Sequence, residues 1–161
     1  MKIRQADIAD ASALADLFVE MERHYDGSAE PDPSTVAERI SSWLTRQPDA
    51  ILLLAEDADG ALQGHLSAAP IFPSGAGRSA MFVKDIFVRG SARGKGIGEN
   101  LLRACAGEAQ KRGAARLELT VDRVNTGASG LYARLGAKDT GKSYLRWEGD
   151  SLAALTGGRE Q

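Results

Sequence analysis

The sequence predicts an α/β protein of the α+β kind: a mixed, mostly antiparallel sheet with helices on both faces and one central parallel strand-helix-strand unit. Three observations carry this. Residues 50–56 (AILLLAE) and 61–72 (ALQGHLSAAPIF) are apolar runs of strand length joined by the tight turn DADG, and so read as an antiparallel hairpin. Residues 80–88 (AMFVKDIFV) form a further strand, buried on both faces to judge by its composition. It leads through glycines into a helix and then into ARLELTV (115–121), an order that requires a right-handed crossover between parallel strands.

The other elements follow along the chain. KIRQA (2–6) reads as a short first strand. Asp10 or Ser12 caps a helix whose inner face is Leu14, Leu17, Phe18 and Met21, and Gly27 in HYDGS stops it. EPDPS is a turn, after which Ser34 caps a second helix with Val36, Ile40, Trp43 and Leu44 on one side. PSGAGRS, after the hairpin, is a glycine-rich loop. The helix over 96–113 turns Ile97, Leu101, Leu102, Cys105 and Ala109 inward and closes at Gly113. In ARLELTV, Leu117, Leu119 and Val121 face one way and Arg116, Glu118 and Thr120 the other. NTGASGLYARLG (125–136) is a short helix closed by Gly136, and KSYLRWE (142–148) is a last strand.

Composition bounds the function. A chain of 161 residues is of one-domain size, so residues 1–161 read as a single domain with a full core. Its 43% hydrophobic and 26% charged residues are ordinary for a soluble globular protein. A formal net charge of -2 speaks against a nucleic-acid partner, which calls for a basic face. Cys105 is the only cysteine, which excludes an intrachain disulfide and a cysteine-based zinc site. With no two histidines close in sequence, no metal is expected. MKIRQADIADAS lacks an apolar core of signal-peptide length, and no run approaches the roughly 18 apolar residues of a membrane span. The expectation is a cytoplasmic protein with no membrane partner.

The glycines of GSARGKGIGEN admit three readings. A dinucleotide fingerprint needs a third glycine where Glu99 stands, and an ATP or GTP phosphate loop needs Ser or Thr after the lysine, where Gly96 stands. The third needs only a strand end, a turn of unobstructed amides and a helix start. Successive N–H groups with no side chains over them cradle an anion, the helix dipole adds to the attraction, and Arg93 and Lys95 bring positive charge. A pyrophosphate-bearing ligand fits this best; a plain glycine-rich turn is the alternative.

Here the residues resemble a family. Arg93, Gly94, Gly96, Ile97 and Gly98 match the R/Q-x-x-G-x-G/A acyl-CoA signature of the GNAT superfamily of N-acyltransferases, and Asn125, Ala128 and Tyr132 match its N-x-x-A-x-x-x-Y segment. The resemblance implies the GNAT fold, in which the two central parallel strands splay apart to admit acyl-CoA. It implies acetyl-CoA as co-substrate, with the pyrophosphate on the amides of Arg93, Gly94, Lys95, Gly96, Ile97 and Gly98. It also implies a pantetheine arm along Ile86, Phe87 and Val88 and touching Asn125. On the opened strand the Val88 N–H is the natural donor to the thioester carbonyl, an effect worth roughly 3 kcal/mol in other enzymes. Tyr132 is the implied acid that protonates the departing thiolate; its other reading is a core aromatic.

A substrate amine must lose a proton before it attacks. Asp85, a carboxylate inside FVKDIFV, is the candidate for that step or for holding a cationic substrate; an ion pair with a nearby Arg or Lys explains it as well. Glu118 reads equally as an exposed strand residue. Glu22, His24 and Tyr25, at the end of the first helix, lie where family members often line the acceptor pocket, though a histidine there also suits the helix C-terminus. His65 reads as structural or exposed.

KDIFVRGSARGKGIG, DRVNTGASGLYARLGA and YLRWEGDSL are similar to the diamine acetyltransferase branch, with two departures: Lys84 stands where that branch has a glutamate, and Val124 where it has tryptophan. Glu20, Glu22, Asp26, Glu30 and Asp32 favour a cationic amine or form a solvated face. The reading is an N-acetyltransferase acting on a small amine or amino-acid-like acceptor by direct attack in a ternary complex. A protein N-terminus or lysine as acceptor, or a non-catalytic acyl-CoA sensor, are the alternatives. The apolar tail SYLRWEGDSLAALTGG, near a sheet edge, and the family together suggest a homodimer.

Overall fold

The computed structural model describes residues 1–25, 31–71 and 75–156, and the chain divides into two units, Met1–Leu119 and Thr120–Gln161. The first unit runs β1 (Lys2–Gln5), α1 (Ala11–Tyr25), α2 (Pro33–Arg46), β2 (Ile51–Glu56), β3 (Leu62–Ile71), β4 (Ala80–Val88), α3 (Ile97–Lys111) and β5 (Leu117–Leu119). The strands form one sheet in sequence order, antiparallel from β1 to β4 and parallel between β4 and β5. This is the mixed sheet with a parallel strand-helix-strand unit that the sequence predicts.

β2 explains the layering. Leu52 and Leu54 pack with Leu14, Leu17 and Met21 of α1 and Ile40 of α2. Strand alternation turns Ile51, Leu53 and Ala55 to the other face, and α3 packs against β2. There α3 buries Ile97, Leu101, Leu102, Cys105 and Ala109. A strand covered on both faces has no polar positions, hence the unbroken run ILLLA. Leu14 and Leu17 are fully buried, each contributing about 2 kcal/mol.

Two helix starts differ from expectation. Asp7 takes the cap of a short 3-10 turn, Ile8–Asp10, that feeds α1, accepting from the Ala9 N–H at 2.7 Å. Asp10 answers by accepting from the Asp7 N–H at 2.8 Å, and its carboxylate also receives two bonds from Arg4, at 2.6 and 2.7 Å. Arg4 thus joins β1 to the helix start. α2 is capped by Asp32, not Ser34, because Pro33 takes the first helical position, where a missing N–H costs nothing. Gly113 closes α3 as expected: its N–H donates to Gln110 O and that of Ala114 to Ala109 O, both at 2.9 Å.

β4 is not buried throughout. Met81 and Val83 are buried, but Lys84 is exposed and Asp85 and Ile86 are half-buried. Val83 lies opposite Ala68 and Asp85 opposite Ser67, so Lys84 is an extra residue, a bulge. β5 pairs only with Met81, Phe82 and Val83, and stops where the bulge begins; Thr120 and Val121 fall outside the strand.

The second unit contains α4 (Thr126–Arg134) and α5 (Asp150–Thr156). Gly136 follows α4, donating to Ala133 O at 3.0 Å. The expected strand over 142–148 does not form: among the described residues none of this segment enters a ladder, and Tyr144, Leu145 and Trp147 are exposed. Its β-favouring composition has no neighbouring strand to satisfy its amides, and a strand exists only with such a partner. Gly27, Asp26, Glu30 and residues 72–74 of the hairpin end and glycine loop lie outside the described residues.

Candidate active site

The site is built on the end of β4. Arg89 N–H donates to Gln63 O at 2.9 Å, which makes Arg89 and Gln63 a hydrogen-bonded pair. The next pair, Val88 with Gly64, is therefore a non-hydrogen-bonded one, and the Val88 N–H turns away from β3. Two residues back, the Ile86 N–H points the same way. β5 does not reach this far, so both amides lie on an open strand edge. Arg93 covers its end, with Nε donating to Val88 O at 3.0 Å and its guanidinium 5.9 Å over the Phe87 ring.

The glycine turn follows after a short 3-10 turn, Gly90–Ala92. Gly94 and Gly96 have φ of 77° and 76°, left-handed values that favour glycine, and a Cβ on either would meet nothing within 4 Å. Glycine is needed here for backbone direction, and the turn's outer side is bare. Gly96 is the N-cap of α3 and offers no side-chain cap. The early N–H groups of α3, which has Ile97 and Gly98 in its first turn, have no partners within the helix. Lys95 Nζ donates to Ser91 O at 3.2 Å, holding a cation beside the turn. Bare amides, a helix N-terminus and two cations fit a pyrophosphate, and the open edge of Ile86 and Val88 fits an extended amide-bearing arm.

A second group lies on the α1 face of the sheet. Strand register places Leu54, His65 and Phe87 in one row and Leu52, Ser67 and Asp85 in the next. Asp85 accepts from Ser67 Oγ at 3.3 Å, and Lys84 Nζ is 3.6 Å from its other oxygen. The bulge re-aims neighbours that a regular strand would send to opposite faces. Lys84 is 64% exposed and Asp85 27%, so the ion pair foreseen for Asp85 forms, while the carboxylate keeps a solvent-facing side. His24 lies 6.3 Å from the Phe87 ring and 5.2 Å from Tyr25; Glu22 and Tyr25 are exposed.

His65 is not exposed at all. It stacks on Phe18 at 4.5 Å, and neither ring nitrogen has a hydrogen-bond partner. Burial pushes its pKa down from 6.5 to about 4, with the Asp85 carboxylate opposing. Of the acidic residues foreseen as a cluster, Glu20 pairs with Arg89 at 2.6 Å and Asp32 caps α2. Glu118, on β5, pairs with Arg116. Burial pushes the Cys105 thiol up to about 11, which suits an inert core residue. Among the described residues no group of three His, Cys, Asp or Glu could hold a metal ion, and no helix is long and apolar enough to cross a membrane. Ser67 was not legible as a site residue, since its place opposite Asp85 depends on the bulge.

In the second unit Asn125 caps α4, its Oδ1 accepting from the Ala128 N–H at 3.1 Å. Tyr132 lies seven residues on, two turns along the same helix, and is half-buried.

The chain is similar to several known proteins. The model of the acetyltransferase (GNAT) family matches residues 13–137. The uncharacterized N-acetyltransferase YhfO of Bacillus subtilis is 32% identical over 142 residues, 88% of this chain and 93% of that protein. An L-ornithine N5-acetyltransferase of Arabidopsis thaliana is 35% identical over 98 residues, 60% of this chain and 43% of that protein. A solved structure of an integron cassette protein from the mobile metagenome of V. cholerae superposes with a TM-score of 0.87 at 30% identity, covering 98% of both chains.

Proposed function

Because the chain belongs to the acetyltransferase (GNAT) family, we propose that it moves the acetyl group of acetyl-CoA to the primary amine of a small, amino-acid-like acceptor, by direct attack in a ternary complex. The observation that carries this is the strand edge at Ile86 and Val88, open beyond the bulge and leading through one 3-10 turn into the uncapped glycine turn. The amides of the turn would hold the pyrophosphate, with Arg93 and Lys95 beside it, and the β4 edge would hold the pantetheine arm. Asn125 would contribute a further contact to that arm. The Val88 N–H would donate to the thioester carbonyl oxygen, stabilising the charge that develops there as the amine nitrogen bonds to the carbonyl carbon. Asp85 takes the amine proton, directly or through water. The carbon–sulfur bond breaks, and Tyr132 gives its proton to the thiolate.

The acceptor class rests on Lys84 and Asp85. An ammonium 3.6 Å from the carboxylate repels a second cation and suits an acceptor that carries a carboxylate as well as an amine. The name of the ornithine-acetylating relative supports the same choice. Glu22, His24 and Tyr25, at the end of α1, are assigned to the acceptor side. The family match runs across the boundary between the two units, which supports reading residues 1–161 as one working domain. A homodimer is part of this reading, supported by the exposure of Val124, Tyr144, Leu145, Trp147, Leu152 and Leu155; sedimentation velocity that finds only monomer would remove it.

The test is release of free CoA thiol from acetyl-CoA over diamines, spermidine, ornithine and lysine analogues, free amino acids and short peptides, with Tyr132→Phe alongside. Turnover with amino-acid amines, lowered in the variant, is expected. Turnover with peptides alone would move the acceptor to a protein. Acetyl-CoA binding by calorimetry without turnover on any amine would leave a sensor.

A further inference from the structure

His65 is placed where an apolar residue would be cheaper. It lies in the core at 0% exposure, between Leu54 and Phe87 across the sheet, under Phe18. A neutral imidazole carries one N–H donor and one bare acceptor nitrogen, and both are buried without partners. Phenylalanine would keep the stack and remove both orphans, so the nitrogens need a use. A hydrogen-bonding pair lies on its own strand face: Ser67, two residues along β3, whose hydroxyl reaches Asp85 at 3.3 Å. Alternate residues on a strand face sit about 7 Å apart, within reach of an imidazole and a hydroxyl directly or through one water. Ser67 can accept on its oxygen while it donates its hydrogen.

We propose that His65 is a positioning residue for Asp85: its ring N–H completes a hydrogen-bonded row, from His65 to Ser67 to Asp85, when the acceptor is bound. The inference rests on the acetyltransferase reading above and adds to it a residue buried beneath the acceptor face. No proton moves along the row. Its work is to fix the carboxylate's orientation and to add donors that favour its charged form. Lys84 and Asp85 on β4, His24 and Glu20 on α1, and Arg89 and Arg93 after β4 are the charged or titratable groups around it. Of these, Asp85 is the one whose charge is felt at the His65 ring.

The test compares His65→Phe, His65→Asn and Ser67→Ala with the unmodified protein, reading thermal stability, kcat and KM for amine and for acetyl-CoA, and the pH profile of kcat/KM. His65→Phe is expected to be at least as stable as the parent yet to lose about ten- to hundredfold in kcat/KM for the amine. KM for acetyl-CoA should hold, and the acid limb of the profile should move to higher pH. Ser67→Ala should give the same loss without adding to it in the double variant, and His65→Asn, which restores an N–H, should recover part. An active parent whose His65→Phe and Ser67→Ala variants keep its rate and profile overturns the role of His65 alone. A parent that binds acetyl-CoA but acetylates no amine overturns the acetyltransferase reading and this one with it.

Discussion

Gly64 touches no ligand in the proposed reaction, yet its replacement by alanine should slow catalysis. It lies opposite Val88 in the non-hydrogen-bonded pair, where strands approach most closely. A Cβ there would stand 2.5 Å from Phe87 O and 3.3 Å from Val88 Cα, both backbone atoms that no side-chain rotation can clear. Reaching the 3.4 Å of ordinary contact requires about 0.9 Å of movement of β4 away from β3. Overpacking of this kind costs about 1–3 kcal/mol, or a fall in Tm of about 2–12 °C for a chain of this size. The displaced group is the Val88 amide, and a misplacement near 1 Å costs about a hundredfold in rate. Gly64→Ala should therefore lower kcat about a hundredfold in the thiol-release assay. Acetyl-CoA affinity should fall less than kcat, because the glycine turn proposed for the pyrophosphate is untouched. A variant with the expected fall in Tm but a kcat within threefold of the parent would refute the use of Val88. An unchanged Tm would show that the strands separate without cost and that the close approach is not rigid.

Three further outcomes follow from the same structure. Gly96→Ala places a Cβ in open space but at φ 76°, so strain alone acts, about 1–2 kcal/mol; acetyl-CoA Kd by calorimetry should weaken about 5- to 30-fold, or Tm should fall correspondingly. Asp10→Asn breaks the bidentate pair with Arg4 that holds the Asp10 carboxyl below the usual range. It should destabilise by about 1 kcal/mol at pH 7, with the gap starting to close as pH falls below about 4, where the unfolded chain's carboxyl takes its proton, and gone once the folded chain's lowered carboxyl does. His65 works in the opposite region of pH. The unfolded chain protonates it near 6.5 and the folded one near 4, so stability should decline as pH falls through that window, by about 3 kcal/mol at its acid end, and His65→Phe should flatten the decline in urea titrations.

What the sequence discloses is what local periodicity encodes. The α3 stripe of Ile97, Leu101, Leu102, Cys105 and Ala109 is fully buried as its spacing implies, and the hairpin of β2 and β3 follows from two apolar runs and DADG. The glycine turn was legible because Gly94, Gly96 and the helix after them are contiguous. Asp85 stood out as a charge in an apolar run, with an ion pair to a nearby Arg or Lys expected, but its hydroxyl partner did not stand out. Ser67 is eighteen residues away, and its place opposite Asp85 depends on an unpaired Lys84. The strand expected at 142–148 rested on composition alone, which favours strands without supplying a neighbour. His65 lacked any sequence signal that separates a buried imidazole from an exposed one.

Lys84 decides more than its own place. Pairing between β4 and β5 ends at Val83, and the bulge starts one residue later. A bulge bends its strand and increases its twist, so β4 leans away from β5 at the point where the edge must open. Deleting Lys84 tests this without disturbing the faces. Val83 would still meet Ala68, Asp85 Ser67, Ile86 Leu66 and Phe87 His65, now as consecutive regular pairs. The ladder to β3 gains regularity, so Tm should stay within about 3 °C of the parent or rise, a range of about 1 kcal/mol at this size. The straightened strand would no longer lean away from β5, and acetyl-CoA binding measured by calorimetry should fall at least tenfold. If the deletion variant folds as stably and binds acetyl-CoA as tightly as the parent, the bend is not what opens the edge. The short length of β5 would then be the sufficient cause.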